Sequence, residues 1–185
     1  MKPKLYIVTG SPFKFQDLSF KLKNIFDCEQ RPWDEPEIQG DPIEILKHKA
    51  LRAYEKFKHP VLVDDVSVHI EDIGGFPGPY MKDFWKCYTP EELGKRFEGS
   101  KIKAVCRLGL QHDVDNITIA EGEFNGVMVA PSHNNHQGRF FELCVKLNEN
   151  DKIMLDYNEE ERDKYSHRGK AMENLINILK ANKKI

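Results

Sequence analysis

Apolar residues recur along this chain at two spacings, and each spacing predicts an element. Leu5-Tyr6-Ile7-Val8 is a short apolar run that stops at Thr9-Gly10-Ser11-Pro12, a strand closed by a turn. Phe15, Leu18, Leu22 and Ile25 follow at three- and four-residue intervals, one face of a helix. A second helix is expected after Gly40. Asp41 suits its N-cap, Pro42 its first position and Glu44 a capping box, with Ile43, Leu46, Ala50, Ala53, Tyr54 and Phe57 turned inward. Val61-Leu62-Val63 begins a buried strand that carries Asp64-Asp65 to its end. The segment from Gly74 to Tyr80 holds glycines and prolines that allow only a few backbone shapes. Thr89, followed by Pro90, Glu91 and Glu92, opens another helix. Residues 102–110, 117–130 and 140–145 read as strands. Ser166 caps a last helix that buries Ala171, Leu175, Ile178 and Leu179.

Composition narrows the class. The 185 residues suffice for one domain with a core, and 39% hydrophobic with 31% charged residues describes a globular, soluble chain rather than a disordered one. A net charge of −2 argues against sequence-independent nucleic-acid binding, so any anionic ligand must be met by locally gathered cations. Cys28, Cys87, Cys106 and Cys144 lack metal-type spacing and lie among apolar residues, which suits reduced thiols in a cytoplasmic protein. No apolar run approaches the ~20 residues that span a bilayer, and no signal peptide is seen, so no membrane partner is expected.

Several positions carry candidate chemistry. Adjacent carboxylates at the end of an apolar strand are costly by several kcal/mol without a counter-charge, and a divalent cation bound by oxygen is the usual one. A solvated loop is the alternative for Asp64 and Asp65. The strand, turn and helix at Thr9, Gly10 and Ser11 bring free N–H groups and a helix N-terminus together, which suits phosphate. A plain β-α unit accounts for the same residues, because they do not form a Gly-x-x-x-x-Gly-Lys loop. Lys14 and Asp17 are three apart and share a face. Lys49 lies at a polar position of the second helix. His133 and His136 are three apart but lack further metal ligands. His167 and Arg168 sit in the first turn of the last helix, where cations oppose its dipole unless an anion or polar ligand is present.

Together these stretches resemble the inosine/xanthosine triphosphate pyrophosphohydrolase family. Thr9-Gly10-Ser11-Pro12-Phe13-Lys14 resembles that family's Thr-x-Asn-x-x-Lys turn, and Pro36-Glu37-Ile38-Gln39-Gly40 matches its Pro-Glu-x-Gln-Gly segment. Lys49-Ala50 resembles its Lys-Ala pair, Asp64-Asp65 through Tyr80 its acidic pair and Gly-x-Pro-Gly loop, and Ser166-His167-Arg168 its Ser-His-Arg segment. The blocks keep the family's order and cover most of the chain. Ser11 replaces an Asn, Val66-Ser67-Val68 replaces Ser/Thr-Gly-Leu, and Arg162 lies where the family carries Lys. The family's Phe-Gly-Trp-Asp-Pro block, which helps hold the base, has no clear equivalent; Gln137-Gly138-Arg139-Phe140-Phe141 is the nearest alignment.

The resemblance implies a single α/β domain over 1–185, with an elongated mixed central sheet, flanking helices and two lobes around a nucleotide cleft. It implies hydrolysis of inosine, deoxyinosine or xanthosine triphosphate to monophosphate and pyrophosphate, with Mg²⁺ or Mn²⁺, commonly in a homodimer. Lys14, Lys49 and Arg162 are then the phosphate cations, aided by Thr9, Gly10 and Ser11. Asp17, Glu37 and Asp65 are the candidate metal shell. Asp65 activates water with Asp64 in support, and Lys14 and Asp17 complete the expected catalytic set. Ser166, His167 and Arg168 contact the base, on which Phe140 or Phe141 is a candidate to stack. Two alternatives remain: a pyrophosphatase of similar fold acting on a pyrimidine or modified nucleotide, and a catalytically silent nucleotide-binding protein.

Overall fold

In the computed structural model, residues 1–133, 135, 139–148 and 152–182 are described. The chain begins with two parallel β-α-β steps. Strand β1 (Lys4–Val8) runs into helix α1 (Pro12–Leu22), then β2 (Asp27–Arg31), α2 (Pro42–Phe57) and β3 (Val61–Ile70). β1 pairs in parallel with both β2 and β3. The sheet then turns antiparallel: β4 (Pro77–Gly78) folds back on the end of β3, and helices α3 (Met81–Trp85) and α4 (Pro90–Arg96) lead to the hairpin β5 (Lys101–Gln111) and β6 (Ile117–Met128). β7 (Val145–Leu147), α5 (Glu159–Tyr165) and α6 (His167–Ala181) complete the chain. Among the described residues the resulting mixed sheet has seven strands in the order β2-β1-β3-β5-β6-β7, with β4 on β3. This is the expected α/β architecture.

Local chemistry accounts for the helix starts. Ser11 caps α1 by accepting from Lys14 N, and Thr89 and Glu92 form a reciprocal capping box on α4. Asp41 caps α2 through Ile43 N at 2.8 Å rather than through the expected box with Glu44. Ile45, not Ile43, joins Leu46, Ala50 and Ala53 in burying α2 against Val8, Val61 and Val63. The opposite sheet face is covered by α1 and α6, whose Leu18, Leu22, Ala171, Met172, Leu175 and Leu179 join the larger core. Lys21 and Asp163, 3.1 Å apart, tie α1 to α5.

Three sequence expectations are corrected. Asp64 and Asp65 are not at a strand end but in the middle of β3, which continues through Val66, Val68 and Ile70 because these side chains extend the core. Residues 140–144 form a 3₁₀ turn, and only Val145–Leu147 pairs as strand. Cys87 is exposed, whereas Cys28 is half-buried, Cys106 and Cys144 are buried, and none of the four is bonded to another. Among the described residues, no helix is long and apolar enough to cross a membrane.

Candidate active site

The pleat of β3 decides the site. Successive side chains of a strand point to opposite faces. Asp64 therefore shares the face of Leu62, Val66 and Val68, toward α1 and α6, while Asp65 shares the face of Val61 and Val63, toward α2. The acidic pair is divided by the sheet, and each carboxylate meets different partners.

On the first face, Lys14 Nζ from α1 lies 3.1 Å from both oxygens of Asp64. Arg168 Nη2, from the first turn of α6, donates to Asp64 Oδ2 at 3.3 Å. Arg168 Nη1 donates to Asp17 Oδ2 at 3.2 Å, and the same carboxylate is gripped by both Nη atoms of Arg139, at 2.8 and 2.9 Å. Arg139 also faces Glu142 Oε1 at 3.4 Å, and Glu142 Oε2 accepts from Arg162. Lys14, Asp64, Arg168, Asp17, Arg139, Glu142 and Arg162 thus form one line of alternating charge. Burial opposes ionisation of Asp64, but Lys14 and Arg168 outweigh it and hold the carboxyl well below its usual range. Burial likewise opposes the charge of Arg168, and Asp64 and Asp17 more than restore it.

On the second face, Lys49 Nζ donates to Glu37 Oε1 at 2.9 Å and to the Asp64 carbonyl at 3.1 Å. Burial pulls the Lys49 ammonium down, but Asp64, Glu37 and Asp65 raise it overall. Asp65 is 6% exposed, and its Oδ2 is buried without a hydrogen-bond partner among the described residues. Burial raises its pKa, Lys49 opposes this, and Glu37 and Asp64 push it up further. Asp65 is therefore a buried carboxylate that lacks a full counter-charge.

At the start of α6, Ser166 Oγ accepts from Gly169 N at 2.9 Å and caps the helix. His167 is fully buried, with its ring steeply inclined to those of Phe124 and Phe141, and neither ring nitrogen has a partner among the described residues. Burial first, and Arg168 second, keep the imidazole neutral. In the β1–α1 turn, Thr9 Oγ1 accepts from Ser11 N at 3.2 Å, so the turn is prepared by its own side chains. Gly10 has open space where a Cβ would stand.

The expected residues therefore divide. Lys14, Asp64 and Arg168 converge, and Lys49, Glu37 and Asp65 converge beside them. Asp17 binds two guanidiniums, and no three His, Cys, Asp or Glu side chains gather as a metal cage among the described residues, so the trio Asp17, Glu37 and Asp65 is not assembled. Arg162 is held by Glu142 and the Leu155 carbonyl, at the opposite end of the charge line from Lys14. Phe140 and Phe141 both stack on Trp85. Arg139 and Glu142 were missed as polar site residues. Their only sequence signal was the point where the Phe-Gly-Trp-Asp-Pro pattern breaks. His136, Gln137 and Gly138 lie outside the described residues.

Residues 5–178 of the chain match one family model, Ham1 family. The chain belongs to the Ham1 family. Among curated Ham1-like relatives, inosine triphosphate pyrophosphatase of Schizosaccharomyces pombe is 30% identical over 183 residues, covering 97% of this chain and 96% of its own. Inosine triphosphate pyrophosphatase 2 of Trypanosoma cruzi is 35% identical over 130 residues, covering 68% of this chain and 66% of its own. The fold agrees with that of a HAM1 protein from Coxiella burnetii, with a TM-score of 0.78 at 18% identity, over 97% of this chain and 99% of that one. It also agrees with the Ham1 protein of Staphylococcus aureus, with a TM-score of 0.67 at 18% identity, over 98% of each chain.

Proposed function

We propose that this Ham1 family member hydrolyses non-canonical purine nucleoside triphosphates, such as inosine triphosphate, to the monophosphate and pyrophosphate. The observation that carries this reading is the division of the acidic pair. Asp64 organises cations, and Asp65 is left as an under-compensated carboxylate beside Lys49 and Glu37. The pyrophosphatases to which the chain is similar support the substrate class.

Glu37 and Asp65 fit a Mg²⁺ or Mn²⁺ ion. Both offer oxygen donors, the Asp65 Oδ2 atom has no partner among the described residues, and such ions use one or two carboxylates together with substrate phosphate. A bound ion there supplies charge neutralisation on the phosphate oxygens. Lys14 and Lys49 lie on either side of β3 at the height of Asp64 and meet the triphosphate. The raised pKa of Asp65 suits it to accept a proton from a water that attacks the α-phosphorus. The bond from that phosphorus to the bridging oxygen breaks, and pyrophosphate leaves with the electron pair. Arg168 meets the base and Asp17 holds Arg168 in position, while His167 is sealed against Phe124 and Phe141.

The test is kcat/KM for inosine, xanthosine, guanosine, adenosine, uridine and thymidine triphosphates, with and without excess chelator. A lead by inosine or xanthosine triphosphate that vanishes with chelator is expected. A pyrimidine or adenosine lead, or full turnover in chelator, would sink the reading.

A further inference from the structure

One guanidinium in the site is held in place but only partly used. Arg139 lies 9% exposed at its side chain, with its guanidinium carbon 5.0 Å from the centre of the Phe13 ring. Its two Nη atoms close on Asp17 Oδ1 and Oδ2, and Nη1 also faces Glu142 Oε1. These contacts use three of the five N–H donors of an arginine. The remaining two, Nε–H and the neighbouring Nη2–H, form one edge of the fork. Neither has a partner among the described residues. The carboxylate of Asp17 and the aromatic face fix the plane of the fork, so little freedom is lost when that edge meets a ligand.

The adjacent Arg168 leans on the same Asp17 oxygen, and its Nε is buried without a partner among the described residues. The two guanidiniums therefore present donors only. A donor edge of this shape meets two neighbouring acceptors, as a 6-oxo purine offers at O6 and N7. A 6-amino purine sets its own N–H against one of those donors and leaves it unpaired.

We propose that Arg139 is a specificity-determining residue that reads the O6/N7 edge of a 6-oxo purine. Asp17 is then a positioning residue for two arginines and not a metal ligand. The inference rests on the pyrophosphohydrolase reading above and goes further by placing base choice outside the Ser166-His167-Arg168 turn.

The experiment compares the parent, Arg139→Met and Arg139→Lys. It measures kcat and KM for inosine and adenosine triphosphates, and calorimetric binding of inosine monophosphate and of inorganic tripolyphosphate. Arg139→Met leaves Asp17 paired with Arg168 and Glu142 paired with Arg162, so the variant is expected to fold. Its kcat/KM for inosine triphosphate should fall on the order of 10- to 100-fold, mainly through KM, while adenosine triphosphate changes little. Inosine monophosphate binding should weaken, and tripolyphosphate binding should not. Arg139→Lys should recover only part, because an ammonium lacks the two-donor edge. An unchanged ratio of inosine to adenosine triphosphate, or full recovery with Lys, overturns the inference and leaves the proposed function standing. A parent that neither binds nor hydrolyses inosine nucleotides overturns both.

Discussion

Replacing Asp64 and Asp65 with Asn, one at a time, is expected to move stability in opposite directions although the two residues are neighbours. Asp64 is 2% exposed and accepts from Lys14 and Arg168. Asp64→Asn leaves Arg168 buried with Asp17 as its one hydrogen-bonded carboxylate among the described residues, and breaking a buried pair from one side costs about 3–5 kcal/mol. The Lys14 side chain is 36% exposed, so water recovers part of its loss, and about 3 kcal/mol is the expected figure. In a chain of this size that lowers Tm by roughly 6–12 °C. Asp65→Asn instead removes a charge that burial, Glu37 and Asp64 already disfavour, so stability should hold or rise. Turnover reverses the ranking for Asp65, with a loss of about 100-fold or more because Asn accepts no proton. The assay is urea denaturation in excess chelator between about pH 7 and about pH 4, alongside kcat with metal. Asp64 has a depressed folded pKa, so its contribution is complete above the unfolded carboxylate value and is lost only as pH falls through the folded one. Asp65 has a raised folded pKa, so the folded state takes up its proton first, and the advantage of Asp65→Asn should shrink as pH falls through that value. Equal losses for the two variants, or a loss below about 1 kcal/mol for Asp64→Asn, would refute the assignment of the two carboxylates to opposite faces.

Two further outcomes test the site's frame. Lys14→Met and Lys49→Met should each weaken triphosphate binding more than monophosphate binding, by about 1.5–3 kcal/mol in calorimetry, and equal losses for both ligands would place the lysine away from the phosphates. Gly122→Ala puts a methyl 2.1 Å from Ala171 N and 2.4 Å from His167 O, both backbone atoms, so α6 must shift. Denaturation should show a loss of about 1–3 kcal/mol, and KM for inosine triphosphate should rise because Arg168 moves with the helix; an unchanged KM would separate the base contacts from α6.

Most elements of this protein are legible in its sequence, because their causes are local. The cap at Ser11, the capping box of Thr89 and Glu92, and the apolar spacing of Leu18 and Leu22 each act within a turn or two of chain. β2 was not legible. Its Asp27-Cys28-Glu29-Gln30-Arg31 lacks an apolar run, and it is a strand because the backbone of β1 pairs with it from Lys4↔Asp27 to Val8↔Arg31. α5 has no apolar spacing to mark it, although Asn158 and Glu161 cap it reciprocally. In the site, the residue types of Lys14, Lys49, Glu37, Asp64, Asp65 and Arg168 were readable, but their pairing was not. Asp17 meets Arg139 across 122 residues, and Arg168 meets Asp64 across 104. Contacts at that separation depend on how α1 and α6 pack against one face of β3 while α2 packs against the other. That packing is why Asp64 is satisfied by cations, why Asp65 is not, and why Asp17 serves two arginines.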